Sequence, residues 1–196
     1  MTTDRELWNQ LRSGEETALK EIFSQYIQLL YKYGYKCCQD SALVEDAIQD
    51  LFLRLWEKRS TLGETDAIKF YLMSSLKRDL YRRMSRNKNV SLEEEHQSID
   101  FVLDFTVEDQ IVAAEGDRIN KQKLEKTLNS LSKRQKEVIY LRFYLEMSPE
   151  EVSELMQISN QSVRNLQSEA LKKMKSEMGG SALLYFLLFF SVQKWS

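Results

Sequence analysis

One proline and six glycines are all the helix breakers that 196 residues contain. With Leu, Lys, Glu and Gln abundant, this scarcity points to an all-α chain. No segment alternates apolar and polar residues long enough to make a strand, which excludes a sheet-based fold. Cysteine is nearly absent as well. The two present, Cys37 and Cys38, are neighbours, so a structural disulfide between them is excluded. His96 is the only histidine, and no His/Cys group has ligand spacing, so neither a metal nor a cofactor is expected. Nor do paired carboxylates or nucleophile–base sets stand at catalytic spacing, and no enzyme is expected. The start has no apolar leader, and a reducing cytoplasm is the expected location.

A long hydrophobic run is missing too. The longest, Ala182 to Val192 with Trp195 beyond it, is about half the ~20 residues that span a bilayer. A short helix docking on an apolar groove is the first reading of this tail. Membrane-surface attachment is second, because Lys194 is the only cation there.

A net charge of −2 conceals an uneven distribution. Residues 90–117 hold nine acidic and no basic side chains. Residues 1–89 hold fifteen basic against thirteen acidic, and residues 118–196 thirteen against eight. Two mildly basic blocks flanking an acidic connector predict two modules and a linker. The divisions expected are 1–89, 90–117, 118–177 and a tail, 178–196.

Leu131 to Lys175 carries the clearest signal. Ser148-Pro149-Glu150-Glu151 is a complete helix start: a capping serine, proline at the first position, and a glutamate able to reach back. Val152, Leu155 and Met156 follow at buried spacing. Gln157-Ile158 then makes a turn, and Ser159 caps a second helix with Val163, Leu166, Ala170 and Met174 inward. This is helix-turn-helix geometry. The outward side offers Gln161, Arg164, Asn165, Ser168 and Lys172, types that pair with base edges or phosphates. Lys173 and Lys175 near the end suit phosphates too. An ordinary helical hairpin with a wet face has the same periodicity. Ahead of it, Ser132 and Gln135 form another capping box, with Val138, Ile139, Leu141 and Phe143 packing behind.

The first block reads as four helices. Thr3 to Leu11 is capped by Thr3 and Glu6 and broken by Gly14. Glu16 to Cys38 carries an apolar stripe that includes Leu19, Ile22, Phe23, Tyr26 and Ile27. Ser41 to Arg59 buries Leu43, Ala47, Ile48, Leu51, Phe52, Leu55 and Trp56. Its other side shows Glu45, Asp46, Gln49, Asp50, Leu53 and Glu57, one leucine in a ring of acids and amides. Such a face suits a helix-groove protein contact, though a solvated face looks similar. After a loop at Ser60 to Asp66, capped by Thr65 or Asp66, a helix runs to about Asn87, with Met84 on its inner side. Its second half carries Lys77, Arg78, Arg82, Arg83, Arg86 and Lys88 against the single acid Asp79, with Phe70, Tyr71 and Tyr81 nearby. Cations for phosphates and rings for unstacked bases suit nucleic acid. A solubilising helix end is the alternative. In the acidic connector, Ile99, Phe101, Val102, Leu103 and Phe105 are expected to seat in a groove of a partner or of the flanking domains.

Two stretches together resemble a known family. Glu45-Asp46-Ala47-Ile48-Gln49-Asp50-Leu51-Phe52-Leu53-Arg54-Leu55-Trp56 matches the E-D-x-x-Q-x-x-F-x-x-x-W pattern of bacterial sigma factor region two. Leu131 to Lys175 resembles region four. Their order and the short linker are similar to an extracytoplasmic function (ECF) sigma factor. Val163-Arg164-Asn165-Leu166 and Ala170-Leu171-Lys172-Lys173-Met174 are similar to the members of Bacteroidota-type bacteria.

The resemblance implies a transcription initiation subunit without catalysis of its own. Asp46, Gln49, Asp50, Leu53, Arg54 and Glu57 would dock core RNA polymerase at the β′ clamp helices. Lys69, Tyr71, Lys77, Arg78, Tyr81, Arg82, Arg83, Arg86 and Lys88, with the Ser60 to Asp66 loop, would hold and open the minus-ten element. Ser159, Asn160, Gln161, Ser162, Arg164, Asn165, Ser168 and Lys172 would read the minus-thirty-five element, beside the polymerase's β flap. The linker would thread toward the RNA exit path. An anti-sigma factor is an implied partner. The sequence departs from the pattern at Arg78, where asparagine is frequent, at Gln157 for the turn glycine, at Ser132 for proline, and at Glu169 for arginine. Arg78 and Glu169 predict weak unaided DNA binding and placement by another DNA-bound protein. The alternative is a helix-turn-helix regulator that does not act as a sigma subunit.

Overall fold

The computed structural model describes residues 2–88, 101–102 and 123–178. Among them every regular element is helical. The chain divides into two compact units, Met1–Asp100 and Phe101–Ser196. The expected linker apart from Phe101 and Val102, with its Ile99, Leu103 and Phe105, lies outside the described residues, as do His96 and the apolar tail.

In the first unit, α1 is Asp4–Ser13, α2 is Glu16–Cys38, α3 is Ser41–Glu57 and α4 is Ile68–Lys88. The capping box at α1 forms: Glu6 N donates to Thr3 Oγ1 (3.3 Å) and Thr3 N to the Glu6 carboxylate (2.9 Å). Gly14, at φ +96°, ends it. Asp40 caps α3, taking the Leu43 N–H at 3.0 Å. This helix stops at Glu57, and a 3-10 turn at Arg59–Thr61 takes up the rest of the expected helix. The start of α4 is shared: Thr65 Oγ1 accepts from Ala67 N, but Asp4 of α1 accepts from Ile68 N at 2.9 Å. Tyr26 donates to the other Asp4 oxygen (3.4 Å), and burial together with Asp4 pushes its pKa up to about 12. One aspartate thus ties three helices.

The core of this unit joins Leu11, Ile22, Leu30, Tyr33, Val44 and Leu76, all fully buried. Each such aliphatic side chain contributes roughly 1.5–3 kcal/mol on leaving water. Gly34 lets α2 approach α3 closely, since a Cβ there would lie 2.9 Å from Val44 Cγ1. Phe23, expected inside, is 43% exposed, and Leu43 and Met84 are only partly covered. They sit at the margins of broad apolar stripes that no neighbour fully covers.

In the second unit, residues 123–129 form α5, and α6 (Lys133–Ile139), α7 (Pro149–Met156) and α8 (Asn160–Met178) follow. The Ser132–Gln135 capping box forms at α6. A π-helical turn, Tyr140–Tyr144, continues it, with Leu145 N donating to Tyr140 O at 3.1 Å. The wider turn shifts the register, so Tyr140 is buried and Phe143, expected in the core, is half-exposed. Phe101 is 1% exposed and packs on Tyr140 at 5.7 Å between ring centroids, so the connector's aromatic seats on the second unit. Cys37 and Cys38 are not in a disulfide. Among the described residues no helix is long and apolar enough to cross a membrane, and no acid, His or Cys cluster could hold a metal.

Candidate protein and nucleic-acid interfaces

The outward side of α3 is built as the spacing requires. Asp46, Gln49 and Glu57 are exposed, and Leu53 stands 54% exposed among them. Beside Leu53 runs an apolar groove of about 430 Å³ between α2 and α3, lined by Leu19, Phe23, Ile27, Phe52, Leu53 and Trp56, with Glu45 and Gln49 also at its wall. Phe23 meets Phe52 edge-on at 5.0 Å, which fixes the groove wall. The Arg59 guanidinium lies 4.2 Å from the Trp56 ring centroid. Sequence reasoning assigned Phe23 and Trp56 to the core and so missed the groove; the only hint was an apolar stripe too broad for one neighbour.

Asp50 and Arg54 belong to this face by position, but they also turn toward α4. Asp79, expected to be a lone acid among cations, is nearly buried and gathers them. Arg83 Nε donates to it at 2.7 Å, Arg82 at 3.0 Å, and Arg54 lies 3.5 Å away. Arg83 also donates to Asp50 at 2.5 Å, and Arg54 reaches the same carboxylate at 4.0 Å. Burial of Arg83 favours its neutral form, but its hydrogen bonds to Asp79 and Asp50 outweigh this and leave the guanidinium's pKa raised.

The other expected minus-ten residues divide by environment. Arg78 and Arg86 are exposed, and Arg78 Nε donates to Ser74 O at 3.2 Å. Lys69, Lys77 and Tyr81 are half-buried. Tyr71 packs edge-on against Trp8 at 4.8 Å, and Trp8 Nε1 donates to Gly63 O at 2.8 Å. The Ser60 to Asp66 loop is therefore pinned beside Tyr71. The Lys88 side chain lies outside the described ones.

In the second unit Ser148 and Glu151 form their reciprocal cap at 3.1 and 2.6 Å. Gln157 occupies the left-handed turn position, φ +52°, as expected where glycine is frequent. Ile158 N donates to Ser153 O, and Ser153 Oγ donates back to Ile158 O at 2.6 Å, closing the turn. Val163, Ala170 and Met174 are buried, whereas Asn160, Gln161, Arg164, Asn165, Ser168 and Lys172 are all exposed. Ser159 is also exposed and acts as the cap, accepting from Ser162 N at 3.1 Å.

Three polar contacts brace α8, and none was foreseen. Arg142 donates from Nε to Gln167 at 3.2 Å and from its terminal nitrogen to Met147 O. Lys173, expected on phosphates, instead donates to Ser130 O at 2.7 Å, at the end of α5. Glu169 accepts from Gln135 at 3.3 Å, so this acid is held against α6.

A helical unit with a partner-type groove and a basic helix, followed by a unit with a helix-turn-helix whose second helix shows Gln, Arg and Asn to solvent, defines a two-domain DNA-binding protein. Family comparison then identifies which kind. The sigma-70 region 2 family matches residues 22–90, and the sigma-70, region 4 family matches residues 121–174. The chain thus carries a sigma-70 region 2 domain and a region 4 domain, in that order, which supports a sigma factor. It is 35% identical over 72 residues to the RNA polymerase sigma factor sigB of Arabidopsis thaliana, a match covering 35% of this chain but only 13% of that protein. Its fold is similar to that of CnrH, solved with the cytosolic domain of CnrY: TM-score 0.55, 18% identity, 88% of this chain and 95% of that one covered. It is also similar to the sigma factor RpoE of Bartonella quintana, solved with the anti-sigma factor NepR: TM-score 0.52, 21% identity, 82% and 96% covered.

Proposed function

We propose that the protein is an ECF-type sigma factor, of the Bacteroidota-type group, that binds core RNA polymerase and directs promoter recognition and opening. The observation that carries this reading is the exposed Gln161, Arg164 and Asn165 face opening the second helix of a helix-turn-helix, in a chain that also has a region 2 domain. In this reading α3 docks on the β′ clamp helices through Asp46, Gln49, Leu53 and Glu57, with the neighbouring apolar groove taking part of the contact. The basic helix α4 and its pinned loop hold the minus-ten element, where capturing an unstacked base offsets a melting cost of a few kcal/mol. The recognition helix α8 reads the minus-thirty-five element. Residues 1–89, 90–117 and 118–177 serve as polymerase- and minus-ten-binding module, linker and upstream module. An anti-sigma factor is the third partner class, and a DNA-bound protein that recruits the holoenzyme supplements the contacts that Glu169 weakens.

Run-off transcription with core polymerase on a genomic fragment library tests this. Discrete chain-dependent transcripts are expected. Co-purification separates the alternative: a regulator that is no sigma subunit binds DNA but ignores core polymerase. Tight, salt-resistant binding of the holoenzyme to promoter DNA without any further protein would remove the recruiting partner.

A further inference from the structure

We propose that Gln161 reads an adenine in the upstream promoter element, and that Asn165 is a positioning residue that fixes the polarity of the Gln161 amide. The proposal rests on the reading of α8 as the promoter-reading helix. Six polar side chains lie between Ser159 and Asn165 at the start of this helix, but they are not equivalent. Ser159 Oγ takes the Ser162 N–H and lies 2.9 Å from Ser162 Oγ, so the two hydroxyls are joined at the cap. Turning Ser159 to a base would unmake the helix start. Gln161, Arg164 and Asn165 are exposed and outside this cap.

Gln161 Nε2 donates to Asn165 Oδ1 at 2.9 Å, one helical turn on. An unrestrained glutamine amide can present its oxygen and nitrogen either way round. With its oxygen turned to Gln161, Asn165 accepts there, so the nitrogen of Gln161 faces it. One N–H of Gln161 is then committed. Its second N–H and its carbonyl oxygen remain, one donor beside one acceptor. The major-groove edge of adenine asks for that pair, an acceptor at N7 and a donor at N6. Asn165 keeps both of its own N–H groups for a phosphate or a neighbouring carbonyl. Arg164, a turn away on the same exposed face, carries the donor fork that fits guanine.

The test is selection from a duplex library with a randomised upstream element, using the full chain bound to core polymerase. The wild type is expected to enrich adenine at one position of that element. Gln161→Glu, which can accept but not donate, is expected to switch that position alone to cytosine. Asn165→Ala is expected to lower the adenine preference there by roughly tenfold, within the range one bidentate base contact controls. Asn165→Asp, whose oxygens still accept from Gln161, is expected to restore the preference ratio while weakening all sequences together. Thermal unfolding of each variant should match the wild type, since both side chains are exposed. The proposal is overturned if Gln161→Glu leaves every base preference unchanged, or if Asn165→Ala and Asn165→Asp lower the ratio equally. If the wild type binds core polymerase but enriches no upstream motif, the proposal falls alone; if it does not bind core polymerase, the sigma-factor reading falls and takes the proposal with it.

Discussion

The second half of α4 and the first half of α8 look alike in the sequence: both are polar helices offered to nucleic acid. They differ in what their side chains are already doing. In α4, Arg82 and Arg83 are engaged by the nearly buried Asp79, and Arg83 also reaches Asp50 across the α3–α4 contact. In α8, Gln161 and Asn165 bond only to each other on an open face, and the bracing is done by Arg142, Lys173 and Glu169 from other positions. A count of cations therefore says little about how many are available. The acids packed against them decide it, Asp79 on the same helix and Asp50 on α3. The first unit spends charge on holding its helices together, whereas the second keeps a dedicated reading surface.

The largest effect expected from this contrast is at Asp79. Replacing it with alanine leaves Arg54, Arg82 and Arg83 without their shared carboxylate. Breaking a buried ion pair costs about 3–5 kcal/mol, and partial exposure of the arginines reduces this to about 2–3 kcal/mol here. Asp50→Ala, on a carboxylate about half-exposed, should cost under about 1 kcal/mol. Urea unfolding of the full chain gives both values, and equal costs would remove the hub role given to Asp79. Next in size is Leu53→Glu. An anchor at the centre of an interface is worth about 2 kcal/mol, so affinity for core polymerase should fall by tens of fold while the unfolding midpoint stays put. Unchanged polymerase binding would return α3 to a merely solvated face.

What the sequence showed and what it hid follow one physical line. The caps at Thr3, Ser132, Ser148 and Ser159 were legible because a cap is made within three residues of itself. Most of the outward and inward sides of α3 and α8 followed from helical period, but Leu43, Trp56 and Leu166, expected inside, are only half-buried. The Asp50–Arg83 pair, 33 residues apart, and the Lys173–Ser130 contact, 43 apart, could not be read that way. The groove was hidden for a related reason: Phe23 and Trp56 obey the core spacing, and only the tertiary packing leaves them at a surface. The π-helical turn at Tyr140 likewise moved the register by a step that a regular period does not contain.

Arg142 sharpens the comparison from the side of the second unit. It joins the Met147 carbonyl ahead of α7 to Gln167 on α8, so it acts as a strut behind the reading face. Arg142→Ala should lower stability by about 1–2 kcal/mol, the worth of one charge-assisted bond and a weaker partner. If the face is only as rigid as its strut, DNA affinity should fall at the same time. A loss of stability with untouched DNA binding would show that α8 needs no support from Arg142.

The smallest expected change is a gain. Gln157 holds a left-handed conformation, φ +52° and ψ +49°, between the two helices of the reading motif. A side chain there costs about 1–2 kcal/mol that glycine does not incur. Glycine gives part of this back by loosening the unfolded chain, so Gln157→Gly should stabilise by up to about 1 kcal/mol. The Gln157 side chain is exposed, and the turn's bonds come from the backbone of Ile158 and from Ser153, which the substitution leaves in place. DNA affinity at fixed salt should therefore be unchanged. If glycine instead weakens DNA binding while raising the melting temperature, the turn is being held stiff by its strained residue. The reading surface of the second unit would then depend on stored strain as the first depends on paired charge, and the contrast between the units would narrow.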